Sequence, residues 1–232
     1  KEVEIDGISD GYDVVIPGII EHIEKAGIHS GDSIGVYPPQ TLSEHVKDTI
    51  LKYSIAIARR LNIKGLFNIQ FVIDEEENIY VIEVNPRASR TIPFISKASG
   101  MPIVSIATKI MLGQSLKDMG YKTGTLPESS LVAVKAPVFS FAKLNRVDPF
   151  LSPEMKSTGE VMGIGTSLNE ALYKALVASN LILPKDGNIL LSITDREKEE
   201  ILSLTESLID MGYTIFATEG TYAYLNSRLD SI

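Results

Sequence analysis

The 232-residue sequence predicts an α/β chain in two parts, an antiparallel sheet carrying helices and then the start of a parallel β-α-β arrangement. Three observations predict it. Leu66 to Asn85 holds two runs of period-two alternation around a polar turn, Leu42 to Leu61 holds an apolar stripe at helical spacing, and Asn188 to Ala217 reads strand, helix, strand.

Taken in order, Lys1 to Asp6 alternates charged and apolar residues, Gly7 to Asp13 turns with the Asp10-Gly11 pair, and Val14 to Ile20 returns as an apolar strand. The chain therefore opens with a hairpin. Glu21 to Gly27 is a short polar segment leading into Ile28-His29-Ser30-Gly31-Asp32-Ser33, and His29 alone reads most simply as a structural histidine beside a glycine turn. Thr41 and Glu44 form a capping box for a helix from about Leu42 to Leu61, whose stripe of Val46, Ile50, Tyr53, Ile57 and Leu61 faces the core. Arg59 and Arg60 suit its last turn.

In the hairpin that follows, Phe67, Ile69, Phe71 and Ile73 share one face, with Asn68, Gln70 and Val72 on the other. On its second strand Tyr80, Ile82 and Val84 alternate with Val81, Glu83 and Asn85, and Asp74 to Asn78 is the turn. Matching the apolar faces sets Gln70 beside Glu83, one step off the register that symmetric closure of the loop would give. Pro93 and Pro102 bracket FISKASGM, and Ile103 to Leu112 forms a helix ended by Gly113.

Gly120 to Ser130 is a connector, Leu131 to Phe141 a strand whose Pro137 suits an edge or a bulge, and Asp148 to Pro153 a turn. Glu154 to Gly165 is glycine-rich with little periodicity and lacks the Lys-Ser/Thr ending of a P-loop. Ser167 and Glu170 cap a helix through Ala178 that buries Leu168, Leu172, Ala175 and Leu176. The pattern breaks around Leu181 to Gly187. Asn188 to Ile193 is then a strand, Thr194 and Glu197 cap a helix through Met211, Gly212 ends it, and Tyr213 to Ala217 is the next strand. Thr218-Glu219-Gly220-Thr221 opens a further helix; its residues fit an ordinary strand-to-helix turn and a phosphate site equally.

Composition excludes several function classes. The content is 44% hydrophobic and 22% charged, enough for a sizeable core, and no apolar run reaches the roughly 18 residues of a membrane span. With no signal peptide visible, a cytoplasmic location is the default expectation. The absence of Cys excludes disulfides and thiolate chemistry, and the net charge of −8 speaks against nonspecific nucleic-acid binding. The chain begins as KEVEID without an initiator Met and stops at Ser231-Ile232 after an unfinished amphipathic pattern, which reads as an excised fragment.

Gln70, Glu83 and Asn85 form an oxygen-rich set suited to a hard divalent cation, and Arg87 and Arg90 follow with bidentate grips for phosphate. A solvated hairpin face would also read this way from a lone Glu and Asn. The string Glu-Val-Asn-Pro-Arg closing a strand, with Gln on its partner, resembles the metal-binding hairpin of the ATP-grasp superfamily. Within it VNPRASRTIPFISKASG, GIHSGDS and EMKSTGEVMG resemble the large subunits of carbamoyl phosphate synthetases, in the second of their two ATP-grasp halves.

That resemblance spans nearly the whole chain, and its implications are specific. Residues 1–180 would be a partial ATP-grasp domain with an antiparallel sheet, and residues 181–232 the start of a Rossmann-like, methylglyoxal-synthase-like effector domain. Gly27, Ile28, His29 and Ser30 would contact ATP, Glu2 would take the ribose hydroxyls, and Gln70 and Glu83 would serve both nucleotide and metal. Gln70, Glu83 and Asn85 would hold magnesium or manganese, with Arg87 and Arg90 as catalytic residues. Lys198, Thr218 and Thr221 match positions that touch an effector, a nucleotide or ornithine. The implied activity is ATP-dependent phosphorylation of carbamate, formed from bicarbonate and ammonia, with a glutamine-hydrolysing small subunit as partner and neither nucleic acid nor membrane. Nucleotide-binding elements expected upstream of Lys1 lie outside the chain, so an inactive fragment is expected. Rivals are another ATP-grasp ligase, such as a biotin carboxylase relative, and a regulatory module with a non-functional ATP site.

Overall fold

Residues 1–141, 148–182 and 184–229 are described by the computed structural model. The chain divides into two compact units, Lys1–Leu181 and Ile182–Ile232. Leu183, inside the expected boundary segment, lies outside the described residues.

In the first unit the strands are β1 (Glu2–Asp10), β2 (Val14–His22), β3 (Gly35–Tyr37), β4 (Lys64–Ile73), β5 (Ile79–Asn85), β6 (Gly124–Thr125), β7 (Val132–Val138) and β8 (Gly159–Gly165). Helices α1 (Glu44–Arg60), α2 (Ile92–Ser99), α3 (Ile103–Met111) and α4 (Leu168–Ala178) connect or follow them. The sheet runs β5-β4-β1-β2-β3-β7-β8, with β6 pairing parallel to β2 and every other pair antiparallel.

Alternation explains which face is buried by what. Val3 and Ile5 of β1 and Phe67, Ile69 and Phe71 of β4 are fully buried on one face, where Val46, Ile50 and Ala58 of α1 pack against them. The opposite face is covered at one end by α2 and α3, whose Phe94, Ile95, Ile103 and Ile106 cluster with Ile8, Val15 and Ile20. Its other end keeps polar residues, and that end is the site.

Several expectations shift in detail. β1 continues through Gly7 to Asp10 before turning, and Gly7 lies opposite Phe67, whose ring would sit 2.3 Å from any added Cβ. The cap of α1 is Ser43, whose Oγ accepts from the Val46 N–H, because the Thr41 hydroxyl is spent on Glu21. Tyr53 and Leu61 are exposed, and Ser54 and Ala58 are buried in their place. The segment between the two prolines is itself helical, as α2. β7 is an interior strand, yet its β3 pairs end at Lys135, so Pro137 meets no β3 partner. The glycine-rich run becomes β8, and α4 packs so close that a Cβ on Gly163 would lie 2.1 Å from the Ala171 carbonyl oxygen.

Gln70 pairs with Glu83 as burial of the apolar face requires, and the extra step is taken by a β-bulge. Phe71 opposes Val81 and Gln70 opposes Glu83, which leaves Ile82 as the additional residue. Val81 therefore shares the face of Phe71, and Tyr80 and Ile82 leave the apolar side expected of them.

The second unit pairs β9 (Asn188–Leu191) with β10 (Thr214–Ala217) in parallel, linked through α5 (Ile201–Asp210) and followed by α6 (Glu219–Asn226). Thr194 precedes a single 3-10 turn, Asp195–Glu197, and the helix proper starts later than the sequence pattern suggests.

Candidate functional site

Two rows of side chains cross β1, β4 and β5 on the uncovered sheet face. Glu4 opposes Gln70, which opposes Glu83; Asp6 opposes Asn68, which opposes Asn85. The expected ligand trio thus stands together, with Asn85 Nδ2 donating to Glu83 at 2.7 Å and Gln70 Nε2 donating to the Ser30 hydroxyl at 3.2 Å. Each amide spends its N–H on a neighbour, which leaves its carbonyl oxygen as an acceptor beside a carboxylate. That is a hard-oxygen set, and it fits magnesium or manganese better than a softer ion. Among the described residues no group of three or more His, Cys, Asp or Glu converges, so the amides are essential to any such site.

Gln70 and Glu83 line two adjoining cavities, of about 100 Å³ and about 480 Å³, together with His29 and Ser30. The larger one adds Glu2, Gly27 and Ile28, all expected there, and Val72, Ile82 and Pro153. The turn at Gly27, where φ is +106°, leads into a 3-10 turn at Ser30–Asp32 capped by the His29 ring, whose Nδ1 accepts from the Gly31 N–H at 3.0 Å. Asp32 accepts from the backbone N–H groups of Lys156 and Ser157, and these bonds outweigh burial to hold its carboxyl below the usual range. Glu2 is buried at the edge of the slot.

Arg87 and Arg90 line the smaller cavity. Arg90 contacts Met155 and the Ser157 hydroxyl, and its Nε lies 3.6 Å from a Glu160 carboxylate oxygen. That distance pairs the charges without a hydrogen bond, and among the described residues Glu160 Oε1 has no hydrogen-bond donor. Burial raises the Glu160 carboxyl against the opposing pull of Lys135 and Arg90.

The floor holds residues that sequence reasoning passed over. Glu4, Asp6, Asn68 and Lys135 are all at least 98% buried. Burial pushes Glu4 upward, but the His22 hydrogen bond at 3.2 Å, the Lys135 charge and Asn68 together bring it below its ordinary range. Asp6 goes the other way, to about 6, through burial and the neighbouring Glu4 charge. Lys135 donates to the Ser30 carbonyl at 2.8 Å. The signals were present: Glu2, Glu4 and Asp6 alternate with Val3 and Ile5, and Lys135 is a lone charge in an apolar run.

Within the second unit Lys198, Thr218 and Thr221 come together. Lys198 Nζ donates to the Gly220 carbonyl at 2.8 Å and pairs with Asp195 at 2.6 Å, while Thr218 donates to Thr221 at 3.1 Å. Thr221 is buried and accepts from the Ile193 N–H at 3.1 Å. Thr218 takes the N-cap position of α6 without a side-chain capping bond.

A mixed sheet-and-helix fold with an oxygen cluster beside a glycine turn places the chain in the α/β class. The family described as carbamoyl-phosphate synthase L chain, ATP binding domain, matches residues 1–119, and the chain belongs to it. Solved structures share the fold. The biotin carboxylase domain of a single-chain bacterial carboxylase is similar at TM-score 0.54 and 16% identity, over 69% of this chain and 41% of that one. The urea amidolyase of K. lactis gives 0.60 and 18%, over 75% and 12%. The biotin carboxylase domain of Hydrogenobacter thermophilus 2-oxoglutarate carboxylase, solved with MgADP, ADP and bicarbonate, gives 0.51 and 18%, over 60% and 30%. The chain thus spans less than half the length of each of these structures.

Proposed function

We propose that the first unit is the back part of the carbamate-phosphorylating half of a carbamoyl phosphate synthetase large subunit, followed by the start of its effector-binding domain. The observation that carries this is the convergence of Gln70 and Glu83 with Arg87 and Arg90 beside the His29-Ser30 turn, with Asn85 hydrogen-bonded to Glu83. ATP would lie along Gly27 to Ser30 with its base against Val72 and Ile82 and its ribose toward Glu2. Gln70, Glu83 and Asn85 would hold magnesium or manganese, which offsets charge on the β- and γ-phosphates when bound. A neighbour of the same fold is solved with MgADP, which supports a magnesium nucleotide as the class of ligand.

The chemistry asks little of the protein beyond placement and charge. A carbamate oxygen attacks the γ-phosphorus, the bond to the bridging oxygen breaks, and carbamoyl phosphate and ADP leave. Carbamate is already an anion, so no general base is assigned. Arg87 and Arg90 stabilise the charge on the transferred group. Ammonia would come from a glutamine-hydrolysing partner subunit, and Lys198, Thr218 and Thr221 would contribute to the effector site.

Glu83→Gln in the full-length enzyme tests the reading. It removes the formal charge among the three ligands and keeps the shape, so turnover should fall about 100-fold or more with the fold intact. Near-normal carbamoyl phosphate synthesis at saturating magnesium would reject the assignment. The likeness to biotin carboxylase domains favours a second reading, a different carboxylate ligase of the same fold. Carboxylation of biotin without carbamoyl phosphate synthesis would establish that alternative.

A further inference from the structure

We infer that Asp6, acting through the Thr91 hydroxyl, is a positioning residue that ties the arginine-bearing loop to the ligand-bearing strands. The inference rests on the functional reading above and adds residues to it. Between the end of β5 at Asn85 and the start of α2 at Ile92, the chain carries Arg87 and Arg90 on a loop without regular structure. Something must hold their guanidinium groups in register with Glu83 and Asn85.

Thr91 shows what does. It occupies the N-cap position of α2, where a threonine hydroxyl ordinarily accepts from a backbone N–H of the first turn, yet it makes no side-chain capping bond. Its hydroxyl instead donates to Asp6 Oδ2 at 2.6 Å, and both residues are buried. Ser89, within the loop, shares a 2.8 Å hydrogen bond with the same hydroxyl. The other Asp6 oxygen accepts from Asn68 Nδ2 at 3.2 Å, and Asn68 stands opposite Asn85. One carboxylate thus binds both the strand carrying the ligand row and the end of the arginine loop. A helix cap has been exchanged for a tether, which makes sense where placement within about 1 Å decides rate.

Thr91→Val tests the tether, because it keeps the shape and removes the donor, with Thr91→Ser as the conservative return. Hydrogen exchange is measured on this 232-residue chain. Thr91→Val should speed exchange of the Arg87 amide, which donates to Asn85, and of the Ile95 amide, which donates to the Thr91 carbonyl, about tenfold or more while Val3, Ile5, Ile69 and Phe71 keep their protection, and Thr91→Ser should restore the slow rates. In the full-length enzyme Thr91→Val should lower kcat by about 10- to 100-fold with KM for ATP little changed, and Thr91→Ser should recover most of it. Unchanged exchange in the loop, wild-type kcat in Thr91→Val, or equal impairment of Thr91→Ser would overturn the inference. Glu83→Gln run alongside separates the two ideas: if that variant keeps full turnover the functional reading fails, while the exchange experiment still decides the tether.

Discussion

Glu4 and Asp6 stand two residues apart on one buried strand face, and their carboxyls are displaced in opposite directions. The raised value of Asp6, about 6, means the folded chain holds its proton more tightly than the unfolded chain does. Its contribution is therefore fully present below the ordinary aspartate range and is lost as pH rises through about 6. Asp6→Asn removes that dependence. The stability of the wild-type chain relative to Asp6→Asn should fall by about 2 kcal/mol between pH 4 and pH 7, read from urea unfolding at each pH. A flat or rising difference would contradict the assignment. At this scale the sequence showed the upper layer of the site and hid the lower one. Gln70, Glu83, Asn85, Arg87 and Arg90 are contiguous in two strands and a loop, so alternation and motif exposed them. Glu4, Lys135 and Glu160 reach the same cavity from three other strands, and the β1-β4, β3-β7 and β7-β8 pairings bring them there.

The hairpin shows why element type was legible where local geometry was not. Period two identified both strands and the demand for burial identified the Gln70-Glu83 pair, but the place where the additional residue enters depends on the turn. Because the bulge lies at Ile82, that side chain moves from the expected core face to the larger of the two cavities. Deleting Ile82 should heal the ladder and leave Glu83 opposite Gln70, so the chain should fold while the full-length enzyme shows KM for ATP raised about tenfold. An unfolded deletion, or one with unchanged KM, would count against this account of the bulge. The β8 segment failed to read as a strand for a related reason. Gly159, Gly163 and Gly165 break its pattern, and two of them are demanded by contact with α4. Gly163→Ala should cost about 2–3 kcal/mol or more, since the added Cβ meets helix backbone that cannot rotate away, and thermal melting should show it.

The whole chain is two units with unequal means of burying themselves. The first has three apolar clusters around one sheet. The second has two parallel strands with Leu190 at 70% and Phe216 at 53% exposure, paired on one face, although parallel sheets are normally covered on both sides. Limited proteolysis should therefore cut first between Leu181 and Asn188 or within the second unit, leaving a resistant core that ends near Asn180, where φ of +67° closes α4. First cuts inside Leu66 to Arg90, with the second unit intact, would contradict the division. If the sheet face of Gln70, Glu83 and Asn85 holds a divalent cation with its nucleotide, Mn²⁺ added with ATP should act on those residues as a paramagnetic probe. On the isotope-labelled chain, signals of Gln70, Glu83 and Asn85 should broaden first and should recover in Glu83→Gln, while nonspecific broadening at the exposed Glu75 to Glu77 turn is the same in both proteins. Broadening confined to that turn, or broadening at the trio that survives Glu83→Gln, would mean that this face does not hold the cation.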